Sequence, residues 1–97
     1  MLRFEWDSVK ARVNLQKHSV SFDDAMHVFD DPYALFEQDR TDVSGETRWH
    51  AIGLAGGVAV LPVVHTVREE FDGETIRLIS ARQATRKERN RYEQSRP

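Results

Sequence analysis

The sequence predicts an α+β domain with two N-terminal helices, an antiparallel sheet of about four strands and a C-terminal helix. Three observations favour this order. Helix-start signals precede apolar residues at helical spacing in the first third of the chain. Apolar runs separated by glycine turns follow, and a last capping signal opens a final helix. The chain has 97 residues, the length of one domain, so residues 1–97 are interpreted as a single unit.

The first helix is predicted over residues 8–17. Asp7 can cap its start, because a short acidic side chain accepts hydrogen bonds from the first free backbone N–H groups. Trp6, Val9 and Val13 recur at helical spacing and predict one apolar stripe along it.

A second helix is predicted after Ser21, with Asp24 at the matching position of a capping box. Pro32 ends it, because proline disfavours helical geometry at the preceding residue. Four apolar residues form a helical stripe: Phe22, Ala25, Met26 and Phe29. This stripe predicts that the helix packs on the sheet.

Strand-forming residues dominate the middle of the chain. The predicted strands cover residues 33–38, 48–54, 58–68 and 74–82. Residues 2–5 are predicted to form a short strand or an extended entry to the first helix. Gly56 and Gly57 predict a hairpin turn. Pro62 interrupts the longest apolar run and predicts a bulge or a local edge.

Charge is distributed unevenly although the net charge is only −2. Residues 23–46 contain eight acids and one base, a net charge of −7, and residues 82–96 contain six bases and two acids, a net charge of +4. Two interpretations remain open. The two segments can neutralise each other within the fold, or the basic segment can serve a partner while the acidic one maintains solubility.

The final helix has a capping box, with Thr85 as the cap and Glu88 three residues later. Its apolar residues are few, and cations at helical spacing are its strongest pattern. Four cations are therefore predicted to bind RNA or a protein partner: Arg82, Arg86, Lys87 and Arg89.

Several kinds of site are not indicated by the sequence. There is no cysteine, and the four histidines are scattered without a metal-binding spacing, so neither a metal nor another cofactor is expected. There is no glycine-rich phosphate loop and no serine nucleophile motif. The absence of a long apolar run predicts a cytoplasmic protein without membrane contact.

Cations and one histidine lie on or beside the predicted strands, where they can act together. These candidates are Arg48, His65, Arg68 and Arg77. Guanidinium groups suit the charged transition state of RNA phosphodiester cleavage, and imidazole suits proton transfer. His65 can instead be a core histidine with a satisfied hydrogen bond. Arg77 is expected to pair with an acid across the sheet.

Strand geometry limits which of these candidates can share a site. His65 and Arg68 are three residues apart, so a regular strand points them to opposite faces. Both can serve one site only if the strand ends or bulges between them.

Segments along nearly the whole chain carry a family resemblance. They are residues 4–7, 17–18, 20–22, 25, 28–32, 46–48, 51–53, 65–68 and 76–89. Together they resemble the BrnT toxin family, most specifically in Phe-x-Trp-Asp at 4–7 and Ile-Ser-Ala-Arg-x-Ala-Thr at 79–85. Ser19 stands where the family usually has glycine; if that position needs a positive φ, serine costs about 1 kcal/mol.

The resemblance implies a RelE-like fold and a type II toxin. Its implied activity is that of a ribonuclease. Together with the missing metal-ligand cluster, this predicts a metal-independent endoribonuclease that cleaves RNA and inhibits translation and growth. The implied partner is a BrnA-like ribbon-helix-helix antitoxin, through which alone the toxin would reach operator DNA.

The residues expected to act on the phosphate are His65, Arg48, Arg68, Arg77, Lys17 and His18. Of these, His65 is the expected proton-transfer group, and Lys17 and His18 are alternates. His18 can also simply favour the end of the first helix, where a cation suits the helix dipole. The alternative function is a non-catalytic binding module whose arginine-rich helix docks on an acidic protein or a nucleic acid.

Overall fold

The computed structural model describes residues 2–57 and 59–97, which form one mixed sheet of five strands with three α-helices. The strands are β1 (Leu2–Glu5), β2 (Leu35–Thr41), β3 (Thr47–Ala55), β4 (Ala59–Glu70) and β5 (Gly73–Ala81). The helices are α1 (Ser8–His18), α2 (Phe22–Ala25) and α3 (Arg86–Ser95), with a 3₁₀ helix (Met26–Asp30) directly after α2. The predicted α+β class is confirmed. Val58, predicted as the first residue of the longest strand, lies outside the described residues.

The predicted sheet of about four antiparallel strands is wrong in number and direction. The strand order is β1-β5-β4-β3-β2, and β1 pairs in parallel with β5. The other neighbours are antiparallel. The partner of β1 lies some 70 residues along the chain, where Phe4 pairs with Ile76. A pairing of such long range leaves no local signal in the sequence.

Helix α1 has the predicted cap but not the predicted stripe. Asp7 accepts hydrogen bonds from the backbone N–H groups of Val9 and Lys10 at 2.8 and 3.2 Å. Val9 and Val13 are exposed, whereas Asn14 is buried. The helix ends at Ser19, whose φ of 58° is the left-handed conformation expected at this position.

Asn14 explains why α1 turns a polar residue inward. Its side-chain amide donates to the Ala81 carbonyl at 2.8 Å, and its side-chain oxygen accepts from the Ala81 N–H at 3.1 Å. Strand β1 pairs only with residues 74–77, so the end of β5 lacks a neighbouring strand there. The amide satisfies the backbone groups of Ala81 as a strand would.

The second predicted helix is shorter than expected and continues as a 3₁₀ helix. Ser21 caps it by accepting from the Asp24 N–H at 3.0 Å, as predicted. Phe22, Ala25 and Val28 are buried at a spacing of three residues, which matches the 3₁₀ repeat. Met26 and Phe29, the other members of the predicted stripe, are partly buried against the core.

The core lies between this helical segment and one face of the sheet. It is built from small and branched side chains, including those of Val20, Phe22, Val28, Ala51, Val63 and Leu78. At Gly53 a Cβ atom would come within 2.8 Å of Val28 Cγ1, so glycine permits the close approach of the 3₁₀ helix.

Pro62 sits inside β4 without a bulge on either side. It pairs with Ile52 of β3, and its carbonyl accepts from the Arg82 N–H at 3.3 Å, just beyond the end of β5. In an antiparallel strand the N–H and C=O of one residue face the same neighbour. The side of Pro62 that lacks an N–H group therefore faces Arg82, which lies beyond the end of β5 and outside the ladder. This position corresponds to the predicted local edge.

The last helix is anchored to the body of the protein by Tyr92. The Tyr92 hydroxyl donates to the carboxylate of Asp31, which also accepts from the Leu54 N–H at 2.8 Å and the Tyr33 N–H at 2.9 Å. Burial raises the pKa of Tyr92 to about 12, and the hydrogen bond to Asp31 adds to the shift. Burial alone would raise the pKa of Asp31, but its hydrogen bonds outweigh this and lower it.

Candidate functional site

Alternation along the strands separates two surfaces of the sheet. The core face carries the apolar side chains that pack under α2 and the 3₁₀ helix. We call the opposite surface the cationic face. The open end of the sheet is the end that holds the β2–β3 and β4–β5 turns. There the cationic face carries the side chains of Arg3, Glu5, Glu37, Arg40, Arg48, His50, Thr66, Arg68, Glu70, Thr75 and Arg77.

One row of the cationic face crosses all five strands. Glu5 of β1 pairs with Arg77 of β5, which pairs with Thr66 of β4. Arg48 of β3 follows next to Thr66, since the adjacent pair in the ladder is Trp49 with His65, and Arg48 pairs with Arg40 of β2. With strands about 4.8 Å apart, this row extends roughly 15 Å from Arg77 to Arg40. It therefore presents guanidinium groups along a line across the sheet.

Glu5 organises one end of this row. Its carboxylate accepts from Arg68 and from Arg77, each at 2.8 Å. The hydrogen bond from Arg68 lowers the pKa of Glu5, and Arg77 lowers it further. Arg68 also contacts Glu70 at 3.0 Å. The acid that was predicted to pair with Arg77 across the sheet is thus Glu5, which holds Arg68 and Arg77 beside each other.

At the other end of the row, the cations form no ion pairs among the described residues, although Asp42 interacts with Arg48 through its charge. Within residues 2–57 and 59–97, no ion pair joins Arg40 or Arg48 to a carboxylate. The Nε atom of Arg48 is buried and has no hydrogen-bond partner among these residues. Two adjacent guanidinium groups repel each other. An anion placed between Arg40 and Arg48 would be attracted by both.

His50 is a member of the cationic face that the sequence interpretation overlooked. It is partly exposed and pairs with Glu37 of β2, which forms an ion pair with Arg91 of α3. The hydrogen bond from Arg91 lowers the pKa of Glu37. The sequence could have indicated this position, because His50 follows Arg48 by two residues in one strand and such side chains lie on the same face. Glu5 was also overlooked as a site residue, since its partner is distant in sequence.

His65 lies on the core face, away from the arginines. It is 2% exposed, and its ring meets that of Phe29 edge-on at a centroid distance of 4.8 Å. Its Nδ1 atom lies 3.3 Å from the Val63 carbonyl oxygen, and burial lowers its pKa. The irregularity after Val64 places an extra residue in β5 and leaves His65 facing inward. The structure therefore does not bring His65 together with Arg68 or Arg77.

Lys17 and His18 lie at the end of α1. Lys17 is exposed and His18 is partly exposed, and both border a shallow groove that reaches Ile79 and Ser80 of β5. They are not members of the row of arginines, because they belong to α1 and not to a strand of the sheet. Neither side chain forms a hydrogen bond or ion pair with another residue in the described part of the chain.

The four cations predicted to bind a partner lie in α3 or just before it, and they differ in their contacts. Arg82 forms a bidentate ion pair with Glu88 at 2.8 and 3.0 Å, and this contact lowers the pKa of Glu88 to about 2. Arg89 donates to the Ala84 carbonyl at 2.9 Å. Arg86 and Lys87 are exposed and have no hydrogen bond or ion pair with any described residue. Of the four predicted binding residues, Arg82 is neutralised by an ion pair, Arg89 keeps its charge but is held by a carbonyl, and Arg86 and Lys87 are free of both kinds of contact within the described residues.

Two further findings concern the described residues as a whole. No three His, Cys, Asp or Glu side chains among them are grouped so that they could hold a metal ion. No helix among them is long and apolar enough to span a lipid bilayer.

A sequence model of one protein family, described as the ribonuclease toxin BrnT of a type II toxin-antitoxin system, matches residues 6–88. This match covers most of the chain. The chain belongs to the BrnT family. Membership in this family of ribonuclease toxins implies an RNA target and an antitoxin partner, and it confirms the resemblance found in the sequence.

A solved BrnT structure shares the fold. The 1.1 Å crystal structure of the Brucella abortus ribonuclease toxin, BrnT, has a TM-score of 0.66 with this chain at 24% sequence identity. The match covers 89% of this chain and 100% of that chain. At this identity the likeness shows the BrnT fold and not the residues of a site. No curated protein sequence matches the chain.

Proposed function

We propose that this BrnT-family chain is a metal-independent endoribonuclease, acting as the toxin of a type II module. The observation that carries the proposal is the row of guanidinium groups across the cationic face. Such a row suits a nucleic-acid strand, whose successive phosphates present a line of negative charge. RNA cleavage by the free toxin would inhibit translation and growth until its antitoxin binds.

The substrate phosphate is proposed to lie over Thr66, between Arg77 and Arg48. Cleavage passes through a five-coordinate phosphorus that carries more negative charge than the substrate. Arg48 and Arg40 form no ion pair within residues 2–57 and 59–97, and Asp42 interacts with Arg48 only through its charge, so both guanidinium groups can still stabilise this state. Arg68 and Arg77 share Glu5 and are held in place by it.

His50 is the proposed proton-transfer group, because of the two histidines in the described strands it is the one on the cationic face. It would accept the proton of the 2′-hydroxyl as that oxygen attacks the adjacent phosphorus. The bond from phosphorus to the 5′-oxygen then breaks, and the leaving oxygen takes a proton from solvent or from the protonated His50. The products are a 2′,3′-cyclic phosphate and a 5′-hydroxyl end.

Metal independence is proposed on the basis of what the face supplies. A divalent cation in a nuclease stabilises charge on the phosphate and lowers the pKa of a nucleophile. Here the arginines can stabilise the charge, and the nucleophile is the substrate's own 2′-hydroxyl. Neither task then requires a bound ion.

The antitoxin is proposed to be a BrnA-like ribbon-helix-helix protein, and contact with operator DNA is proposed to occur only through it. This proposal rests on membership in the BrnT family of type II toxin-antitoxin systems. Arg86 and Lys87 of α3 are proposed as additional contacts to RNA phosphates, since both are free.

The test is cleavage of total RNA by the purified protein, with and without a chelator of divalent cations. We expect equal cleavage in both conditions and a loss of about 10²–10³-fold in rate for Arg48→Ala. Arg12→Ala is the matched control, because Arg12 is an exposed arginine of α1 outside the cationic face. Cleavage that disappears with the chelator and returns with Mg²⁺ would overturn metal independence. RNA binding without any cleavage would favour a non-catalytic binding module.

A further inference from the structure

An apolar groove lies on the core face, at the end that the helices leave uncovered. Its lining includes Leu2, Phe29, Phe36, Trp49, His65 and Val67, and it encloses about 260 Å³. The 3₁₀ helix ends at Asp30, so its last aromatic ring, Phe29, forms one wall of the groove. Past this wall, no helix of residues 2–57 and 59–97 covers the core face where β4 turns into β5, and Val67 is exposed there.

The side chains at the mouth of the groove are more exposed than a core requires. Leu2 is 44% exposed, Phe36 is 54% exposed and Val67 is 38% exposed. All three line the same groove, so they belong to one patch rather than to scattered positions on the surface. Contiguous exposed apolar surface of this kind is typical of an interaction site.

The rim of the groove is acidic. Glu74 borders it, and Glu74 pairs across the strands with Glu69. Like charges directly opposite each other destabilise a sheet, and neither carboxylate has an ion pair within the described residues. Strand register places no lysine or arginine on this face of the sheet in residues 2–57 and 59–97. The rim therefore suits a cationic partner and repels RNA.

The groove also adjoins a free sheet edge. Phe36 belongs to β2, the outermost strand, whose outer backbone groups have no strand partner among the described residues. The same strand carries Glu37 and Arg40 on the cationic face. A partner seated in the groove that follows this edge would reach Arg40, where it would block RNA.

We propose that the apolar groove is the docking site of the antitoxin, which inserts apolar side chains between Phe36 and Val67 and places lysine or arginine beside Glu69 and Glu74. This inference rests on the proposed function, since it assumes a type II toxin. A second copy of this chain is a poorer occupant. In a symmetric dimer the same patch meets itself, so Glu69 and Glu74 would face the acids of the other copy.

The experiment measures binding of a purified BrnA-like ribbon-helix-helix antitoxin to the toxin and its variants. Phe36→Asp and Val67→Asp are expected to weaken binding by about 30-fold or more, the effect of a hot-spot residue. Phe71→Asp is the matched control, because Phe71 is fully exposed in the β4–β5 turn outside the groove. Glu74→Lys is expected to weaken binding by about tenfold and to reduce its dependence on salt.

The outcomes separate the two proposals. Loss of antitoxin binding in Phe36→Asp and Val67→Asp, with parental RNA cleavage and melting temperature, supports the groove. Antitoxin binding by Phe36→Asp and Val67→Asp that equals binding by Phe71→Asp overturns the proposal. So does a parent protein that is dimeric, if Phe36→Asp makes it monomeric and leaves antitoxin binding intact. Absence of RNA cleavage by the parent refutes the proposed function but leaves the binding comparison valid.

Discussion

The two faces of the sheet carry exposed charge of opposite sign. On the cationic face, Glu5 accepts from Arg68 and Arg77 at 2.8 Å, while Arg40 and Arg48 form no ion pair within the described part of the chain. On the core face, aromatic and branched side chains lead to a rim where Glu69 faces Glu74. One sheet thus presents surplus positive charge on one side and apolar surface with surplus negative charge on the other. These surfaces suit different partners.

Two histidines in neighbouring strands show how little sequence separates these environments. His50 is partly exposed beside Glu37, whereas His65 is 2% exposed against the ring of Phe29. Burial lowers the pKa of His65, which keeps it neutral in its apolar surroundings. His50 is proposed as the proton-transfer group because of the face on which it lies, since residue type alone does not distinguish it from His65.

The largest expected effect concerns the cationic face. His50→Ala should lower the rate of RNA cleavage by about 10²–10⁴-fold, the usual contribution of a proton-transfer group. His27→Ala is the control, since His27 is an exposed histidine of the 3₁₀ helix. Single-turnover cleavage of a defined RNA measures the rate. An unchanged cleavage rate in His50→Ala would show that His50 is not the proton-transfer group, although it lies on the cationic face.

Phe22 tests the core face. Phe22→Ala should lower the free energy of unfolding by about 3–5 kcal/mol, because the ring is fully buried and contacts Trp6 edge-on. Phe29→Ala should cost less, since Phe29 is only partly buried at the groove. Urea denaturation measures both. Equal losses would show that the groove is as well packed as the core.

The Arg82–Glu88 pair gives a pH-dependent effect. Arg82 lowers the pKa of Glu88 from 4.5 to about 2, so the pair stabilises the fold above about pH 4.5. This stabilisation is lost as the pH falls from 4.5 to 2. Glu88→Gln should cost about 1–2 kcal/mol at pH 7, reduced by solvent screening, and almost nothing at pH 2. Denaturation at several pH values measures this, with Glu93→Gln as the exposed control on the same helix.

The smallest expected effect on stability is at Arg86 and Lys87. Changing both to alanine should alter the free energy of unfolding by less than about 0.5 kcal/mol, because both are exposed and unpaired. The slope of log RNA affinity against log salt should fall by about 0.7 for each lost phosphate contact. A lower melting temperature with an unchanged salt slope would show that Arg86 and Lys87 stabilise the fold and do not contact RNA.

Local signals in the sequence predicted the ends of the elements well. Asp7, Ser21 and Thr85 each cap the helix that follows, because capping depends on only a few adjacent residues. The glycine turn between β3 and β4 and the pairing of Arg77 with an acid were also predicted correctly.

Contacts between distant segments could not be predicted in the same way. The apolar spacing of Val9 and Val13 suggested a buried stripe, but α1 instead buries Asn14 against the unpaired end of β5. The parallel pairing of β1 with β5 sets both that end and the position of Glu5. The candidate site depends on this pairing, so the sequence indicated its arginines and not its arrangement.

The most direct test of separate faces is one titration, in which RNA cleavage by the toxin is followed as antitoxin is added. For Phe36→Asp we predict the parental cleavage rate without antitoxin and about 30-fold more antitoxin for half inhibition. Inhibition of Phe36→Asp at the parental antitoxin concentration would contradict the account. Loss of cleavage in a folded Phe36→Asp would contradict it equally, because the groove would then belong to the catalytic site.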